Sequence, residues 1–127
     1  MSTCSTYDTT TQLYLGYDNA VTLVPYSDIV DRTFYDMTAV TLVTVVADST
    51  SSAVTGDGIT MDSDDVPQVI SFAQVGTTEE WRINIKLGLF TGIVADTYKL
   101  RVIATEPAHP NGLVLTDDVL VQIVDIP

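Results

Sequence analysis

The most regular alternation of apolar and polar positions is Trp81-Arg82-Ile83-Asn84-Ile85-Lys86-Leu87. It predicts a strand whose buried face carries Trp81, Ile83, Ile85 and Leu87. The segment Thr97 to Val102 alternates in the same way, with Tyr98, Leu100 and Val102 inward. Gly88 to Asp96 lies between them and contains Gly92, so the two strands are expected to form an antiparallel hairpin or to lie as near neighbours. Five further strands are expected at Leu13–Tyr17, Ala20–Val24, Met37–Ala47, Val66–Val75 and Leu113–Val124. Asp18-Asn19 separates the first two, and Pro25 is expected to end the second. Met37–Ala47 is apolar or Thr at both parities, which predicts cover on both faces. Strict alternation through the last strand would turn Asp117 inward beside Leu113, Leu115 and Val119. A bulge or break at Asp117-Asp118 avoids burying a carboxylate there. Seven strands joined by short polar turns predict an all-β, antiparallel sandwich in preference to a barrel.

Two segments fall outside the alternation. Residues 1–11 are Ser/Thr-rich and polar, and are expected to form an extended N-terminal arm on a sandwich domain of residues 12–127. Such an arm stays ordered only if its own domain or a neighbour holds it. Asp48 to Asp65 is expected to be a long loop, a kind of segment with a functional bias.

Composition agrees with strands. Val, Ile and Thr make up more than a third of the 127 residues, and hydrophobic types reach 46%. Mean hydropathy is +0.26, which argues against disorder despite the charge. The formal charge is −12, from 17 acidic and five basic side chains. Five cations cannot neutralise a run of phosphates, so nucleic acid and anionic membrane surfaces are not expected partners. No apolar run approaches the ~20 residues of a membrane helix. The N-terminal MSTCSTYDTTTQ has neither the basic start nor the apolar stretch of a secretory signal.

The inventory for catalysis is thin. Cys4 is the single cysteine, so no intrachain disulfide can form, and the polar arm offers no cationic setting to activate its thiol. His109 is the single histidine and lies between Pro107-Ala108 and Pro110, in what reads as a solvated turn. No catalytic residue and no cofactor is expected. Asp57, Asp62, Asp64 and Asp65 form the densest acidic cluster. An oxygen-rich loop suits calcium, but the spacing is not that of an EF-hand and no bidentate Glu follows, so a solvated acidic loop is the competing reading.

The basic residues are the more informative group. Alternation puts Arg82 and Lys86 outward on one strand, and Lys99 and Arg101 outward on the other. Four of the five cations are therefore expected on one face of one hairpin. That face is either charge-balanced by nearby Asp residues or a docking stripe for an acidic or carbonyl-rich partner.

Two runs carry a resemblance. The first is Tyr14-Leu15-Gly16-Tyr17-Asp18-Asn19 followed by Ala20-Val21-Thr22-Leu23. The second is TYKLRVIATEPAHPNGLVL, from Thr97 to Leu115. Together they resemble small immunoglobulin-like virion structural proteins of tailed bacteriophages. The resemblance implies a single-domain immunoglobulin-like sandwich on the exterior of the particle, non-enzymatic and present in many copies or as a homo-oligomer. A capsid decoration (cement) protein binding the assembled shell is the first expectation. A neck, tail or fibre module with an adhesion or carbohydrate-binding role is the alternative. The Cys…Trp…Cys pattern of antibody-type domains is absent, which leaves Trp81 as a core residue.

Overall fold

The computed structural model describes residues 4–6, 12–28, 30–50 and 58–126, with residues 4–6 described by their backbone alone. The described residues form ten strands: β1 (Cys4–Thr6), β2 (Gln12–Tyr14), β3 (Val21–Asp28), β4 (Thr33–Phe34), β5 (Leu42–Ser49), β6 (Ile59–Asp62), β7 (Ile70–Gln74), β8 (Trp81–Ile85), β9 (Asp96–Glu106) and β10 (His109–Val124). They form two sheets. The first has the order β1-β3-β8-β7, with β4 also paired to β3, and the second has the order β2-β10-β9-β5-β6. All pairings are antiparallel except that of β2 with β10. The fold is thus the expected all-β sandwich.

The core lies between the sheets and follows the alternation. Ile83 and Ile85 of β8, and Tyr98, Leu100 and Val102 of β9, are fully buried. Val43, Val45 and Ala47 of β5 meet them from one side, and Leu13, Val121 and Ile123 from the other. Tyr98 is buried together with its hydroxyl, which donates to the Val94 carbonyl at 2.8 Å. Burial of that large ring near the start of β9 fixes how the chain enters the second sheet, because the hydroxyl needs a partner once it leaves water.

The expected hairpin of β8 and β9 is corrected by the topology. β8 pairs with β3 and β7 in the first sheet, and β9 pairs with β5 and β10 in the second. The chain between them crosses from one sheet to the other. It does so through a 3-10 turn at Leu87–Leu89, with Leu87 and Ile93 buried beneath it. Gly88 packs against the backbone of Tyr14, and a Cβ there would collide with the Tyr14 carbonyl. Alternation had marked Leu87 as inward, which is right, but the strand ends before it.

Other boundaries also differ. Pro25 does not end β3, which continues to Asp28. The ladder to β8 stops at Leu23, so the missing Pro25 N–H costs no bond on that side, and the Pro25 carbonyl accepts from the Tyr35 N–H at 3.1 Å. Met37 to Val40 is a turn, closed by Val40 N–H to the Met37 carbonyl at 3.0 Å, and β5 starts only at Leu42. β5 is also not covered on both faces: Leu42, Thr44 and Val46 are half-buried. β10 passes through Asp117-Asp118 without a break. Its register shifts between Val114 and Thr116 and again between Thr116 and Val119, which keeps both carboxylates exposed. That is the bulge expected from the cost of a buried charge. The stretch Asp48 to Asp65 is not one loop, since β6 pairs back on β5 over Ile59–Asp62; residues 51–57 lie outside the described residues.

Of the polar arm, residues 4–6 form β1, antiparallel to Leu23–Pro25 of β3. The rest of residues 1–11 lies outside the described residues. No helix among the described residues is long and apolar enough to cross a membrane.

Candidate functional site

Four cations were expected on one hairpin face, and the crossover divides them between two sheets. Arg82 sits on β8, where its Nε lies 2.7 Å from Glu80 Oε2. Lys86 follows β8, with its Nζ 3.7 Å from Asp18 Oδ1. These two are locally charge-balanced, and such partly exposed pairs contribute about 0–1 kcal/mol.

Lys99 and Arg101 remain together, two residues apart on the outer side of β9. Among the described residues no carboxylate oxygen lies within 4.0 Å of either cation. The strand register gives their neighbours. Lys99 stands between Asp48 of β5 and Leu120 of β10, Arg101 is opposite Val46, and Ile103 stands between Thr44 and Val114. Val114 and Leu120 are 51% and 54% exposed, Val46 and Ile103 half-buried. The outer face of the second sheet is therefore apolar at its centre and along β10, cationic on β9, and acidic at Asp48 and at Asp62 of β6, which is in register with Thr44.

The acidic cluster survives in part. Carboxylate oxygens of Asp62, Asp64 and Asp65 lie within 4.8 Å of one another. Two of them have local work: Asp62 Oδ1 accepts from Thr44 Oγ1 at 2.7 Å, and Asp65 Oδ2 accepts from the Asp62 N–H at 2.9 Å. The cluster shapes the turn after β6. Asp57 lies outside the described residues.

Alternation missed a third feature. β9 and β10 are joined by Pro107-Ala108 alone, which places His109 directly opposite Glu106. Glu106 Oε1 accepts from the Tyr35 hydroxyl at 2.6 Å and lies 2.8 Å from His109 Nδ1. A carboxylate can only accept, so Nδ1 carries the proton in this contact. The hydrogen bond from Tyr35, reinforced by that from His109, holds Glu106 below the usual carboxylate range. Burial, and then the bond to Glu106, push the Tyr35 hydroxyl far above the usual tyrosine value. His109 also borders a groove of about 320 Å³ along the seam between the sheets, lined by Tyr26, Tyr35 and Leu113 among others. Ser27 lines the same groove, but its hydroxyl donates to the Thr33 carbonyl at 3.3 Å. Among the described residues no hydroxyl or thiol is hydrogen-bonded to His109, so the geometry holds an oriented imidazole without a nucleophile. A Glu and a His flanking a Pro-Ala turn could have signalled the pair, whereas Tyr35 is 71 positions from Glu106 and gave no signal.

No protein-family model matches the chain, and no curated protein matches it in sequence.

Proposed function

We propose that the protein is a non-enzymatic structural component of a tailed-phage virion, a capsid decoration protein on the particle exterior. The observation that carries the reading is the outer face of the second sheet. There, in a chain of charge −12, Lys99 and Arg101 stand beside exposed Val114 and Leu120, with no carboxylate oxygen of the described residues within 4.0 Å of either cation. A surface of that composition is built to be covered by protein, since desolvated apolar contact gives affinity and charge complementarity gives orientation. The strand order and the buried Tyr98 hydroxyl at the crossover into β9 fit the immunoglobulin-like reading, in which a tyrosine at that corner bonds back to the upstream backbone. Multiplicity supplies the rest: many weakly bound copies give strong total attachment. Binding only the assembled shell stabilises it by ordinary linkage.

The test is to incubate the purified protein with assembled shells and with free shell subunits, then locate it by electron microscopy. Decoration predicts density in step with the capsid lattice and no binding to free subunits. Density confined to one vertex or to the neck replaces decoration with the neck, tail or fibre reading. One feature favours that second reading: the seam groove bordered by Tyr26, Tyr35, Leu113 and His109 is a concave, mostly apolar site with an exposed imidazole at its edge, a form that can take a small ligand such as a glycan. Binding to a glycan panel, without binding to shells, would decide for it.

A further inference from the structure

We propose that the outer face of the second sheet pairs with the same face of a second copy of this chain, about a two-fold axis running along the strands between β5 and β9. The inference rests on the reading of this face as an interface and names its occupant.

The argument begins with register. Asp48 on β5 and Lys99 on β9 are cross-strand partners, so they stand at one height on the face. Val46 and Arg101 share a height, and so do Thr44 and Ile103. A two-fold axis in the interface, parallel to the strands and midway between β5 and β9, lays each of these strands over the other strand of the second copy. Lys99 of each copy then meets Asp48 of the other. The aliphatic stem of Arg101 covers Val46, and Ile103 meets the methyl of Thr44. Such a contact is isologous, so every favourable pair occurs twice. Stacked sheets cross at about 30°, so the match holds beside the axis and loosens toward β6 and β10.

Charge distinguishes this occupant from an unrelated acidic protein. The face is not uniformly cationic: Asp48 and Asp62 stand on its β5 and β6 side. A uniformly acidic partner would meet those carboxylates as like charges. A second copy presents Lys99 to Asp48 and Asp48 to Lys99, because the β5 and β9 columns exchange places across the axis, and it sets no like charge against Asp62, which meets Val114 of β10.

The experiment uses sedimentation velocity on the full chain over a range of concentrations. The wild type is expected to be a reversible dimer. Lys99→Asp and Asp48→Lys each place like charges across the axis at two positions, and each is expected to weaken dimerisation by roughly tenfold or more. Mixed in equal amounts, the two variants are expected to recover a heterodimer, because Asp at 99 in one then faces Lys at 48 in the other. A pairing confined within one chain cannot produce that recovery. Circular dichroism checks that both variants fold, and Arg101→Glu serves if either does not, with the same weakening expected. A monomeric wild type, unweakened variants, or a mixture that stays monomeric overturns the inference. The reading as a decoration protein fails separately. A dimer that ignores assembled shells sinks that reading and leaves the inference standing. A monomer whose shell binding is lost in Arg101→Glu does the reverse.

Discussion

Tyr35 and Tyr98 place hydroxyl groups in low-dielectric surroundings, and both are held above the usual tyrosine value chiefly by burial. Each stays protonated in the folded chain where it would ionise in the unfolded one. Their contribution to stability is full below the ordinary value of 10.0 and is lost as pH rises above it. Glu106 behaves oppositely. Held below its ordinary value of 4.5, it contributes fully above that pH, and the contribution is lost as pH falls toward the lowered folded value. Tyr35→Phe removes one group from the alkaline side and the main cause of the Glu106 shift from the acid side. Melting temperature against pH should therefore be flatter at both ends for Tyr35→Phe than for the wild type; parallel curves would refute it. Tyr98→Phe keeps the ring in the core and loses only the bond to Val94. Its expected cost is about 0.5–1.5 kcal/mol by denaturant unfolding. Arg82→Ala breaks a pair that is 30% and 25% exposed, so its expected cost stays within about 1 kcal/mol.

At the scale of elements, alternation reported burial more faithfully than partnership. The inward positions of β8 and β9 were legible because side chains point to opposite faces with period two. That β8 and β9 belong to different sheets was not legible, because Gly88 to Asp96 turns a hairpin or crosses a sandwich with equal ease. What decides is the burial of Leu87 and Ile93 and the contact of Gly88 with the Tyr14 backbone, both set by residues distant in sequence. The consequence for the site was direct: the four-cation face became two pairs, one neutralised and one without an ion pair among the described residues. Pro25 misled for a related reason, since the damage a proline does depends on whether a neighbour needs its N–H. The bulge at Asp117-Asp118 was legible because it follows from the cost of burying charge, whatever the partner strand. Short strands such as β1 and β4 leave too few residues for a period to show. Deleting residues 1–6 removes β1 and bares the edge of β3 from Leu23 to Pro25. The cooperative transition should survive at a lower melting temperature, with more aggregation at that open edge. An unchanged midpoint would show that β1 adds nothing.

For the molecule as a whole, 17 acidic side chains against five basic ones mean self-repulsion in the compact state. Stability should therefore rise between low and physiological ionic strength, because screening acts on exposed carboxylates more than on the half-buried Tyr35–Glu106 contact. Denaturant midpoints at the two salt levels measure this, and a fall with salt would mean that favourable ion pairs dominate. The parallel register of β2 and β10 has a mechanical side. Gln12–Tyr14 runs alongside Gln122–Val124 in the same direction, so a tension applied between the two ends of the chain pulls these strands past each other lengthwise. Their ladder bonds then share the load, where an antiparallel hairpin pulled from its open end gives way one bond after another. A fold closed in this way resists stretching along its own chain, a useful property for any protein whose anchorage is exposed to flow.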